Sequence, residues 1–214
     1  MHIYQKHILD RLRTAKKLRY SEMQPNGVES SHFKYHLDAL ARDGLVNRVD
    51  RGVYTLTSKG QLTVDRLSEN RVNPYETPKV ITYTLMRKDD RYCLFRKRKE
   101  PFLGTLNMVS GKVHLDEDSF TAAKREVHEK AGIHLDDIQQ QLVAEVRIRK
   151  GDKLISHFIA YVFTANITES NKNLEEYLLE DLTMRDDLAP DLLQILEAIN
   201  DGRLLTSIDC SYES

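Results

Sequence analysis

Residues 111–133, GKVHLDEDSFTAAKREVHEKAGI, read as a loop, a helix and a second loop. Asp118 or Ser119 can cap the helix, and Ala122, Ala123, Val127 and Ala131 then form its apolar stripe. On that helix Glu126 and Glu129 stand at i and i+3, so their carboxylates converge on one face. Lys130 is i+4 from Glu126 and aims an ammonium group at the same place. A charged amphipathic helix with one i to i+4 ion pair would account for Glu126 and Lys130. It would not account for the spacing of Gly111 and Glu117, which lie outside the helix.

On either side of this segment the texture is that of strands. KVITYTLMR and RYCLFRKR are β-rich runs joined by the polar turn Lys88-Asp89-Asp90, so a sheet begins near Lys79. Arg96, Lys97 and Arg98 at the end of the second run can reach a phosphate or form a solvated strand exit. In ISHFIAYVF, His157 alternates with apolar residues, which fits either a ligand contact or a satisfied half-buried histidine. Glu145, Glu175 and Glu176 can supply extra acidic ligands from strand or loop, with solvent exposure the simpler expectation. A last helix near PDLLQILEAI has Leu192, Ile195, Leu196 and Ile199 at core spacing. The flanking strands are expected to run to about residue 200.

Before Asn70 the pattern is different. Ile3, Ile8, Leu9 and Leu12 predict a first helix ending before Leu18, and Ser21 can cap a very short second one that Pro25-Asn26-Gly27 stops. Phe33, Leu37 and Leu40 predict a third helix with Ser30 near its N-cap and Gly44 as its stop. VNRVDRGVYTLT then alternates as two strands about Asp50-Arg51-Gly52, and SKGQLTVDRL closes the segment with another helix. The expected division is residues 1–70, a linker over 71–78, and residues 79–214.

Charge divides the chain in the same place. Residues 1–72 carry 13 Lys and Arg against 8 Asp and Glu, whereas the remainder is net acidic at -6. A basic module joined to an acidic one fits a chain in which the first part meets a polyanion. The two cysteines, Cys93 and Cys210, are too few and too far apart for a disulfide framework or a metal cluster. The start, MHIYQKHILDRLRTAKK, has no apolar run of signal-peptide length, and no stretch approaches the roughly 18 apolar residues of a membrane span. The expected compartment is the cytoplasm, without a membrane partner.

The spacing of Gly111, Glu117, Arg125-Glu126-Val127, Glu129 and Gly132-Ile133 resembles the Nudix box, matching eight of its nine specified positions over 23 residues. The resemblance implies an α/β/α sandwich with a mixed sheet and binding of a nucleoside-diphosphate-type ligand. It implies magnesium held by Glu126, Glu129, Glu117 and a carbonyl near Gly111. Magnesium takes hard oxygen ligands together with substrate phosphates. The catalytic group carried over is Glu126, Glu129 and Arg125, with Arg125 orienting the glutamates. The ninth position departs: Lys130 stands where the family has a metal-binding glutamate, which leaves magnesium weak or absent and makes Lys130, with Arg96 and Arg98, a candidate ligand contact.

YHLDALARDGLV followed by GVYTLTSKG resembles a winged helix-turn-helix, giving an overall α+β class. That resemblance implies duplex DNA as a partner, with Ser31, Lys34 and Tyr35 presented to a major groove and Arg48 and Arg51 on the wing. Two functions are open. One is a transcription regulator, as a homodimer, whose Nudix domain senses a nucleotide metabolite; the other is a magnesium-dependent hydrolase of a nucleoside diphosphate linked to another group.

Overall fold

The computed structural model describes residues 1–65, 77–99 and 101–212, so most of the expected linker, at 71–76, lies outside the described residues. Two compact units are present, Met1–Thr77 and Pro78–Ser214. Among the described residues no helix is long and apolar enough to cross a membrane.

The first unit runs α1 (Ile3–Arg13), β1 (Leu18–Arg19), α2 (Tyr20–Met23), α3 (Ser30–Arg42), β2 (Val46–Asp50), β3 (Val53–Leu56) and α4 (Ser58–Asp65). Its antiparallel sheet has the order β1-β3-β2. Ile8, Leu9, Leu12, Met23, Phe33, Leu37 and Leu40 are buried together, which is the apolar periodicity of α1 and α3 turned inward. Gly52, at φ 73°, makes the hairpin turn that β2 and β3 need. Ser30 is the first residue of α3 rather than its cap, a place taken by Glu29 without a side-chain hydrogen bond.

At the start of α1, His2 caps the helix: its Nδ1 accepts from the Tyr4 N–H at 3.2 Å. The His2 ring stacks on buried His36 of α3 at 3.9 Å, and His36 Nε2 lies 3.3 Å from His32 Nε2. Burial, then the nearby His2 and His32, holds the His36 pKa below its ordinary 6.5. With the folded value depressed, the unfolded chain binds the extra proton first as pH falls. Stability present above pH 6.5 is therefore lost below it. We expect α1 and α3 to lose amide exchange protection between pH 7 and pH 5, after correction for intrinsic rates, and His36→Gln to flatten that dependence. Equal slopes in the two proteins would assign the pH dependence elsewhere.

The second unit runs β4 (Lys79–Lys88), β5 (Arg91–Arg96), β6 (Leu106–Asn107), β7 (Val109–Lys112), α5 (Ser119–Ala131), β8 (Gln139–Lys150), β9 (Lys153–Asn166), β10 (Leu174–Tyr177), α6 (Leu179–Thr183), α7 (Leu192–Asn200) and β11 (Leu205–Ser211). The sheet order is β10-β5-β4-β9-β8-β11, with β6 on β5 and β7 on β4. It is mixed, since β4–β9 and β8–β11 are parallel and the other pairs antiparallel. Strand alternation splits the core between two faces. Ile81, Tyr83, Leu85 and Phe158 pack with Leu192, Ile195 and Leu196 of α7. Met86, Cys93 and Val109 pack with Val127 and Ala131 of α5. Helices on both faces of one sheet make the expected α/β/α sandwich, and Cys93 and Cys210 are both free and buried. The sheet does not stop near residue 200: β11 adds a parallel edge strand over 205–211.

Candidate functional site

Helix α5 begins as the sequence suggests. Asp118 is its N-cap, accepting from the N–H groups of Phe120 at 2.9 Å and Thr121 at 3.0 Å, and Gly132 ends it at φ 72°. Its polar side lies against β7. Gly111 of β7 pairs with Thr82 of β4, so its missing side chain would point to the α5 face. A Cβ built there would fall 1.6 Å from Glu126 Cδ. Gly111 is therefore glycine because the Glu126 carboxylate occupies the space a side chain would need.

Around that buried carboxylate every partner is a cation. Arg125 Nη1 donates to Glu126 Oε1 at 2.9 Å, and Lys130 Nζ lies 3.1 Å from Glu126 Oε2. Lys130 also donates to the Ser110 carbonyl. Arg125 grips Glu117 with two bonds, Nε to Oε1 at 2.7 Å and Nη2 to Oε2 at 2.9 Å, and reaches the Lys112 carbonyl at 3.0 Å. The Arg125 hydrogen bonds, with one from the His114 N–H, hold the Glu117 carboxyl down at about 2. The same bonds hold the Arg125 pKa above its usual value. Glu129 stands apart: its side chain is 55% exposed and meets Arg125 only at 3.4 Å.

This donor set does not fit a magnesium ion. The ion needs free hard oxygens, yet both oxygens of Glu126, both of Glu117 and the Ser110 carbonyl are engaged by Arg125 or Lys130. Among the described residues no group of three or more His, Cys, Asp or Glu side chains is arranged to hold a metal. An ammonium group sits on the Glu126 oxygen and the carbonyl of β7.

The other sequence candidates divide. Arg96 is not at the box: it pairs with Glu175 at 2.7 Å and Asp187 at 2.9 Å and donates to the Gly104 carbonyl at 2.6 Å. Arg98 lies over the Phe95 ring and donates to Asn173 at 3.2 Å. Arg96 is the last residue of β5 and is held by Glu175 and Asp187, while Lys97 and Arg98 follow the strand. His157 bonds Glu145 at 3.2 Å, and Glu175 and Glu176 are paired to Arg96 and Lys88.

Lys97 lines a cavity of about 130 Å³ with Lys79, Lys112, Tyr83, Phe102 and Phe158, and Ser110 and Gly111 of β7 border it. Lys79 and Lys112 were not foreseen. They lie in separate segments, and only the pairings Lys79↔Phe158 and Ile81↔Lys112 bring them to one sheet face.

In the first unit, Ser31, Lys34 and Arg48 line one cleft of about 430 Å³ with Tyr20 and Tyr54. Tyr35 is 62% exposed and edge-on to His36 at 5.3 Å, and Arg51 sits at the tip of the β2–β3 turn. Glu29 accepts from Ser31 Oγ at 2.5 Å, placing one carboxylate beside the cleft.

A family model for the NUDIX domain matches residues 76–198, and the chain belongs to that family. Among solved structures it is similar to the NUDIX domain of Shewanella oneidensis NrtR complexed with ADP ribose, at 16% identity over 68% of this chain and 98% of that one, TM-score 0.51. It is also similar to a MutT protein from Bacillus halodurans, at 19% identity over 61% and 89%, TM-score 0.49. Shewanella oneidensis NrtR complexed with a 27mer DNA matches at 19% identity over 58% and 60%, TM-score 0.45. At such identities the likeness is one of fold. No curated protein matches the chain.

Proposed function

We propose that the chain is a transcription regulator in which the NUDIX unit binds a nucleoside-diphosphate-type metabolite without magnesium and the first unit, a winged helix-turn-helix, binds duplex DNA. The observation that carries this reading is the Lys130 ammonium, held between Glu126 Oε2 and the Ser110 carbonyl. A fixed cation there attracts a diphosphate but cannot activate a water as a metal does. Hydrolysis, the second reading, is favoured by one feature: Glu129 keeps its carboxylate exposed on the same face. The structural neighbour bound to ADP ribose makes that compound the first ligand to try.

On the DNA side, the helix order with its β1-β3-β2 sheet, and the gathering of Ser31, Lys34 and Arg48 at one cleft, support α3 as the groove-facing helix. Tyr35 and Arg51 extend that surface. A cytoplasmic homodimer would place two such helices one turn of DNA apart. Lys34→Ala with Arg51→Ala is expected to weaken binding to duplexes selected from a random pool and to lower the salt slope by about 2. If ADP ribose is the signal, its affinity must shift between free and DNA-saturated protein by the same factor that it shifts DNA affinity, typically about 5- to 150-fold. Equal affinities in the two titrations would remove the sensor reading and leave a hydrolase with an appended DNA-binding unit.

A further inference from the structure

Three histidines gather where the start of α1 meets α3, and neither the NUDIX site nor the DNA-facing residues account for them. His32 and His36 stand at i and i+4 on α3, so they share one side of the helix. Their Nε2 atoms lie 3.3 Å apart. The His2 ring, fixed by the bond from the Tyr4 N–H to its Nδ1, stacks on His36 at 3.9 Å with 9° between the planes. Tyr4 stands edge-on to both rings of the pair, 5.3 Å from His32 and 5.6 Å from His36, and Tyr35 meets His36 edge-on at 5.3 Å. His36 is buried and His32 is exposed. Neighbouring rings thus hold the pair, and solvent reaches it through His32.

Two nitrogens at that separation match the edge of a coordination tetrahedron. Zinc binds imidazole nitrogen at about 2.0–2.1 Å, and tetrahedral angles then put neighbouring ligand atoms about 3.3–3.4 Å apart. A square-planar or octahedral ion at the same bond length requires about 2.9 Å, so the spacing disfavours copper(II) and nickel(II), which take tetragonal geometry. A hydrogen bond is the competing account, but N–H···O bonds run about 2.7–3.2 Å, and the pair is long beside them. Metal binding also needs neutral rings. Burial first, then His2 and His32, holds the His36 pKa below 6.5, which leaves its ring unprotonated at neutral pH. His2 is engaged through Nδ1 in capping α1, and among the described residues no group of three such ligands is arranged for a metal. Two positions of the tetrahedron therefore fall to water.

We propose that His32 and His36 form a two-histidine zinc site on α3, with His2 and Tyr4 positioning the rings. Both Nε2 lone pairs go to the metal, and both ring protons to Nδ1. Structural zinc is held by four protein ligands. With two, the ion exchanges with solvent, and the site follows the zinc concentration instead of holding the fold permanently. A bound ion fixes one turn of α3 beside the cap of α1 and adds two positive charges to the helix proposed to face DNA. The site itself stands independently of that reading and of the NUDIX ligand.

The test is titration of the isotopically labelled full chain with zinc chloride in a buffer that does not chelate, read by the nitrogen resonances of the histidine rings. Zinc is expected to shift the Nε2 resonances of His32 and His36 together. Partners one shell out from a metal are typically worth about 10–100-fold in affinity, so removing a ligand is expected to weaken zinc at least about tenfold. His32→Ala is read at the His36 ring, and His36→Gln at the His32 ring. Near-ultraviolet circular dichroism shows whether each variant keeps its packing, and exposed His32 is the position whose loss the fold tolerates better. Zinc that shifts only other histidines overturns the site. So does zinc affinity at the His36 ring that is unchanged in folded His32→Ala, and either result leaves a hydrogen-bonded pair.

Discussion

Lys130→Glu is expected to convert the α5 face into a magnesium site. In the wild type the Lys130 ammonium lies 3.1 Å from Glu126 Oε2, where it neutralises one oxygen and covers the Ser110 carbonyl. The substitution removes that cation, adds a carboxylate and frees two oxygens together. Even at an effective dielectric constant of about 20, two unit charges about 4 Å apart interact by about 4 kcal/mol. Solvent at this partly exposed place reduces that figure, and at least a tenfold gain in magnesium affinity remains the expected result. Calorimetric titration of the full chain with magnesium measures it. Turnover of ADP ribose should rise with it, and adding Glu126→Gln should abolish the gain. A wild type that already hydrolyses quickly, or a folded Lys130→Glu variant that binds magnesium no better, would give Lys130 a positive part in chemistry.

Gly111→Ala should do the most damage to the NUDIX unit. A Cβ at that position falls 1.6 Å from Glu126 Cδ and 1.9 Å from Oε1, so the carboxylate must leave its place. Its departure removes the buried partner of Lys130 and of one Arg125 nitrogen, although Glu117 still holds Arg125 by two bonds, and losing one partner of a buried ion pair costs about 3–5 kcal/mol. Lys130, a third exposed, can swing into solvent, which places the expectation at the lower end, about 3 kcal/mol. Urea unfolding of the second unit reads this directly. The clash can be separated from any effect on the backbone: on a Glu126→Ala background the same glycine substitution should cost little. Additive losses in the double variant would refute the account of Gly111 given by the Glu126 carboxylate.

Much of this fold was legible because its signals are local. Helix α5 announces itself through the cap at Asp118, the stripe Ala122, Ala123, Val127 and Ala131, and the stop at Gly132; α3 and the β2–β3 hairpin do likewise. Strand β1 is two residues long and exists only by pairing Leu18 and Arg19 with Tyr54 and Val53. Strand β11 exposes most of its residues and gains its place from β8, some 60 residues earlier, as in Leu205↔Val143. Strand β1 carries no pattern of its own, and β11 alternates only briefly, about Ile208 and Cys210.

The site divided along the same line. Glu126, Glu129, Arg125 and Lys130 lie within one helical turn or so, and their convergence follows from periodicity. That Glu126 is buried over a glycine, and that Arg125 is spent on Glu117, follows from how α5 meets β7. The run Arg96-Lys97-Arg98 shows the limit most clearly. Composition offers three cations, and only the tertiary contacts separate them: Arg96 is held by Glu175 and Asp187, Arg98 lies over Phe95, and Lys97 lines the cavity.

The lysine at position 130 also sets how far apart two chemistries stand in inheritance. Lysine is written AAA or AAG and glutamate GAA or GAG, so a change of the first base of one codon exchanges a built-in ammonium ion for a metal-binding oxygen. No strand, cap or core residue has to change with it. If Lys130→Glu gains magnesium and turnover as expected, a receptor and a catalyst on this scaffold are neighbours by point mutation.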